Sequence, residues 1–160
     1  MFALYATEVI NIYLQIYLSK MNTKLVQEIL IRLMFISLAG ITATQKIIGA
    51  SVPTWFISKF EPTIIGKIPY LTSISFVLIT TIEFLVALFM IFSLLKNEFK
   101  NEQTKRFTNI SLDLSLLLFL ILFTGSFIAE DYQNGALDFL YFTGILFIKN
   151  KILVQLPTNK

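Results

Sequence analysis

Residues 70–95 read YLTSISFVLITTIEFLVALFMIFSLL, a run with one charged side chain, Glu83, in its middle. A helix crosses the hydrocarbon core of a bilayer with about 20 mostly apolar residues. This stretch exceeds that length, and no water-soluble domain of ordinary composition has a use for it. The same test, applied outward, finds a run at 29–48 (ILIRLMFISLAGITATQKII) and another at 107–129, dominated by LSLLLFLILF. A fourth begins with ALDFLYFTGILFI and meets Lys149 and Lys151 early. It reaches spanning length, 136–156, only if those lysines bend their charged ends toward the headgroups.

The whole composition agrees. The 160 residues are 56% hydrophobic and only 14% charged, with a mean hydropathy of +0.75. Soluble domains carry about 25% charged residues. The expected fold class is therefore all-α: an integral membrane four-helix bundle over residues 25–156. An extra N-terminal amphipathic helix (1–24) and a short tail (157–160) complete the expected organisation.

Orientation follows from lysine and arginine. Lys20, Lys24, Arg32, Lys96, Lys100, Lys105, Arg106, Lys149, Lys151 and Lys160 fall on one side, and Lys46, Lys59 and Lys67 on the other. Ten against three places both termini in the cytoplasm. The net charge of +3 is spread over helix ends, which is no footprint for nucleic acid.

Cysteine and histidine are both absent. Disulfides, thiolate metal sites and imidazole bases go with them. Chemistry by this chain alone would run on carboxylates, lysine or tyrosine. No phosphate loop, metal cluster or nucleophile–base pair is present, so no catalytic or metal-binding residue is expected. The phenylalanines are read as lipid-facing or interhelical filler.

Between the first two spans lies GASVPTWFISKFEPTIIGKIP, residues 49–69. Three prolines forbid one continuous helix, and tryptophan among apolar neighbours suits the headgroup layer. A short interfacial helix from about Pro53 to Phe60 is expected, lying as a lid over the outer face. At the N-terminus, Glu8, Asn11, Gln15 and Ser19 make a narrow polar stripe. That pattern fits an interfacial or partner-docked helix, with a fifth span as the alternative.

Five residues stand out as intramembrane polar or binding candidates: Glu83, Lys46, Asp138, Tyr141 and Asp131. A carboxylate at the bilayer midplane costs about 2.5–3.5 kcal/mol on insertion scales, so Glu83 should face other helices and find a partner. It serves a ligand, quinone or proton site, or it fixes packing through an interhelical hydrogen bond. Lys46 either reaches the outer headgroups or pairs with a carboxylate at its own depth, Asp138 being the natural candidate. Asn134, Asp138 and Tyr141 share a helix face and, with Glu130 and Asp131, would form an outer polar pocket beneath Trp55. Asp113 is explained by solvation at a helix end or by Arg106. Ser37, Gly40 and Thr44, with Ser111 and Ser115, read as close-packing positions.

The order of these features resembles the DoxX-like family of small four-helix membrane proteins. The likeness covers about residues 32–148. It rests on RLMFISLAGITATQKI with Arg32, Gly40 and Lys46, on the loop VPTWFISKF, on Glu83 within TTIEFLVALFMI, and on EDYQNGALDFLYFTG. Some members are linked to respiratory or thiol redox chemistry, and those using cysteine pairs cannot be followed here. The resemblance implies a multi-pass protein of a bacterial inner membrane. The expected role is a non-catalytic accessory subunit in contact with other membrane subunits. The alternative is quinone-linked redox or small-molecule binding through Glu83 and the outer pocket, with quinone the one cofactor in view.

Overall fold

The computed structural model describes the backbone of residues 2–100 and 105–153 and the side chains of 23–100 and 105–151. The elements are α1 (Phe2–Ile48), α2 (Thr54–Phe60), α3 (Ile64–Lys67), α4 (Leu71–Leu95), α5 (Arg106–Ile128) and α6 (Tyr132–Leu153), with no strand among the described residues. Among the described residues, three segments are long and apolar enough to cross a membrane: Thr23–Ile48 of α1, α4 and α5. The helix α6 spans 22 residues, and it starts at Tyr132, before the position expected from the sequence.

The first 48 residues differ from expectation. No break separates an N-terminal helix from the first span, because α1 runs unbroken for 47 residues. At 1.5 Å per residue this is about 70 Å, more than twice the hydrocarbon thickness. No proline or glycine occurs before Gly40 to interrupt it.

The long helices pack in chain order, α1 on α4, α4 on α5 and α5 on α6. On α1 the buried face is Glu28, Arg32, Phe35, Ala39 and Ala43, a spacing of three and four residues. Ser37 and Thr44 lie on the exposed side, so the close-packing face is one position away from the expected series. Gly40 borders it, and a Cβ there would meet the Ala87 Cβ at 3.6 Å. Ile79, Ile82, Val86 and Met90 of α4 meet Leu112 and Phe119 of α5 and Ile145 of α6 in the shared core. Lipid supplies no hydrophobic drive between helices, so close contact and polar pairing hold such a packing together.

Helices α4 and α5 end alike. After α4, Asn97 adopts φ 53°, its N–H reaching Leu94 O while the Glu98 N–H reaches Ser93 O. After α5, Glu130 adopts φ 55°, its N–H reaching Phe127 O while the Asp131 N–H reaches Ser126 O. Both are Schellman closures, which favour glycine at the left-handed position. In each, the next residue is an acid, Glu98 or Asp131, aimed at the start of the following helix.

The proline-rich connection folds into two short helices. Phe56 and Phe60 of α2 are buried, and Phe56 packs edge-on against Phe76 of α4 at 5.2 Å between ring centroids. Trp55 points outward, 61% exposed. Gly66 is required by space, since a Cβ there would lie 2.6 Å from Glu61 Cα and against Phe60 O.

Candidate functional site

Glu83 sits midway along α4 with only 6% of its surface exposed. Lys46, near the end of α1, turns inward and donates to both carboxylate oxygens, at 2.7 and 2.8 Å. Its ammonium also lies 5.9 Å from the centre of the Phe76 ring. The small contact between Gly40 and Ala87 lets the two helices approach closely enough for this.

The expected Lys46–Asp138 pair does not form. Helix α1 packs on α4, so the carboxylate beside the Lys46 stem is Glu83. Asp138 instead accepts from the Ser126 hydroxyl at 3.0 Å. A different lysine, Lys59 of α2, takes the acidic end of α6 by binding Asp131 at 2.7 Å. Asp131 also caps α6, accepting from the Asn134 backbone N–H at 3.3 Å and from its side-chain amide at 2.6 Å. The Lys59 hydrogen bond, followed by those from Asn134, holds the Asp131 carboxyl down at about 2. Asp113 is exposed, in keeping with solvation, and its ion-pair partner is Lys149 of α6 and not Arg106.

Two clefts adjoin the Lys46–Glu83 pair. The larger, about 470 Å³, lies between the end of α1 and the first turns of α4, with Lys46, Val52, Phe76, Val77, Thr80 and Phe84 in its wall. Val77 and Phe84 are 60% and 49% exposed, so its mouth opens sideways on the apolar surface. The smaller, about 200 Å³, holds Glu83 with Ala39, Thr42, Ser115, Phe119 and Tyr141. Tyr141 reaches it by packing on Phe119, ring centroids 5.2 Å apart. Of the five candidates, Glu83, Lys46 and Tyr141 thus converge on the clefts, while Asp131 and Asp138 stand at the neighbouring helix ends. The ion pair presents its cation to one cleft and its anion to the other.

A second polar cluster, at the end of the molecule rich in lysine, was not anticipated from the sequence. Arg32 is fully buried. Its Nε donates to Ser93 Oγ at 2.8 Å, Nη1 to Glu28 O at 2.8 Å and Oε2 at 3.2 Å, and Nη2 to Thr108 Oγ1 at 2.9 Å. Lys105 closes on the other Glu28 oxygen at 2.6 Å. Glu98 accepts from the backbone N–H groups of Phe107 and Thr108 at 2.8 and 2.9 Å. It thereby caps α5, whose own N-cap residue, Lys105, makes no side-chain cap. Burial pushes the Glu98 carboxyl up, and hydrogen bonds from Thr108, Phe107 and Ser93 outweigh it, leaving the group below its ordinary range. One guanidinium thus ties α1, α4 and α5 together. The available signals were the Glu28/Arg32 spacing of four and the hydroxyls at Ser93 and Thr108.

Comparison with known proteins returns no matching family model, no matching curated protein and no matching solved structure.

Proposed function

We propose that this chain is an integral membrane protein that binds a small amphipathic molecule entering sideways from the lipid, with Lys46 and Glu83 at the polar end of the site. The cleft of about 470 Å³ beside Lys46 carries this reading. Its size lies within the 300–1,000 Å³ of small-molecule sites, which combine apolar walls with a few polar groups. Quinones belong to the class such a site accommodates. The DoxX-like resemblance is part of the proposal, as are a bacterial inner membrane, cytoplasmic termini and a crossing by α6. The ten-to-three sorting of basic residues supports the orientation.

Native mass spectrometry of the detergent-purified protein tests the site. An apolar adduct on the wild type, lost in Val77→Trp where the indole fills the cleft, is expected. No adduct, or one indifferent to Val77→Trp, contradicts the reading.

A second reading, an accessory subunit of a larger membrane complex, draws on the length of α1. Residues 2–22 continue the helix about 30 Å beyond the spanning segment, far enough to meet another subunit. Purification in mild detergent with a stoichiometric partner is its expected result, and a lone monomer or plain homodimer contradicts it.

A further inference from the structure

The chemistry of the cleft wall narrows the class of molecule, on the premise that the cleft is a ligand site. Three hydroxyls line it, Ser51, Thr80 and Thr81. Each already donates its proton to the backbone: Ser51 to Gly49 O at 3.2 Å, Thr80 to Phe76 O at 2.8 Å and Thr81 to Val77 O at 2.8 Å. A hydroxyl has one proton and two acceptor lone pairs, so while these bonds are kept the groups present acceptors toward the cleft. The remaining side-chain donor is Lys46. Two of its three N–H bonds go to Glu83, which leaves one N–H and no net charge.

We infer that the cleft selects a neutral amphiphile whose head carries free hydroxyl groups. Hydroxyl protons meet the threonine and serine lone pairs, and a head-group oxygen accepts the third Lys46 N–H. The tail follows Ile47, Val52, Phe76 and Phe84 out through the side mouth into lipid. A carboxylate head fits poorly. It would place a second negative charge beside Glu83 and turn more lone pairs toward Thr80 and Thr81. A bare ester or quinone uses only the Lys46 donor and forgoes the hydrogen bonds that a hydroxyl head makes to the free lone pairs of part-buried Thr80 and of Thr81. The head group itself has two natural sources, a partial glyceride or a quinol.

The test uses the full chain in detergent and probes sharing one oleoyl tail: monooleoylglycerol, oleate and methyl oleate, with retention read by native mass spectrometry. An alkyl hydroquinone against its quinone forms a separate arm. Monooleoylglycerol or the hydroquinone should be held about tenfold better than its hydroxyl-free counterpart, the factor expected from one net hydrogen bond or slightly more. Whichever arm shows the preference names the source. In Thr80→Val and Thr81→Val, tested singly, that preference should shrink. Oleate held best, equal retention of all probes, or an undiminished preference in both valine variants overturns the inference and leaves the ligand site standing. No retention of any probe, or retention that survives Val77→Trp, overturns the site itself.

Discussion

The Lys46 ammonium straddles the Glu83 carboxylate, 2.7 Å from one oxygen and 2.8 Å from the other. Within the hydrocarbon either charge alone would be expensive. Together they are neutral, and their shared position determines how α1 sits on α4. Lys46 keeps 22% of its side chain exposed while Glu83 keeps 8%, so the cation is the half of the pair that a molecule in the larger cleft can meet.

Arg32 holds three helices through one planar group, and lysine cannot reproduce that fork. Arg32→Lys should lose most of the contacts to Ser93 and Thr108, and Arg32→Ala should cost about 3–5 kcal/mol, the range for breaking a buried pair. Unfolding in detergent with increasing denaturant measures this. A cost below 1 kcal/mol for Arg32→Ala would show that Lys105 and Glu28 hold the end of the molecule without it.

The Lys59–Asp131 bridge predicts a response to acid. Asp131 titrates at about 2 in the folded protein, against an ordinary 3.8. Its folded value is depressed, so its stabilising contribution is present above 3.8 and is lost as pH falls toward 2. The Asp131 carboxyl resonance should therefore titrate near 2, and Lys59→Met should move the midpoint up toward 3.8. A wild-type midpoint at or above 3.8 would contradict the bridge.

Glycine should improve both helix closures, and unequally. Asparagine tolerates the left-handed region better than glutamate does. Glu130→Gly should raise stability by about 1 kcal/mol and Asn97→Gly by less, measured as shifts in melting temperature. Destabilisation in both variants would contradict the left-handed closures.

Gly66→Ala should be harmful for the opposite reason. The added methyl meets the backbone of Phe60 and Glu61, which cannot move without shifting the buried Phe60 ring away from Gly125. A cost of about 1–3 kcal/mol, the range for overpacking, is expected in the same unfolding assay, and an unchanged midpoint would count against this packing.

Much of the architecture was legible because lipid imposes a simple rule on sequence. Length and apolarity alone mark 70–95 and 107–129, and the prolines around Trp55 mark the short helix that interrupts the chain between α1 and α4. Glu83 could be singled out because a lone carboxylate in such a run needs a partner. Which partner was not legible. Helix order and rotation decide it, and periodicity within one helix does not contain them, so depth alone made Asp138 the natural candidate for Lys46. Arg32 was hidden for a related reason. An arginine near a helix end reads only as a marker of orientation until Ser93 and Thr108, 61 and 76 residues away in sequence, are known to surround it. The unbroken α1 was missed because a change from polar stripe to apolar run looks like a boundary, although nothing in the residues breaks the helix.

The most direct test of the account is a double-mutant cycle on Lys46 and Glu83, using Lys46→Met and Glu83→Leu. Lys46→Met strands the buried Glu83 carboxylate and should destabilise the protein by about 3–5 kcal/mol. Glu83→Leu, which leaves a part-exposed ammonium, should cost less, while the double variant should recover at least half of the summed loss. Losses that simply add would mean the two side chains do not meet inside the protein, and the site built on them would fall.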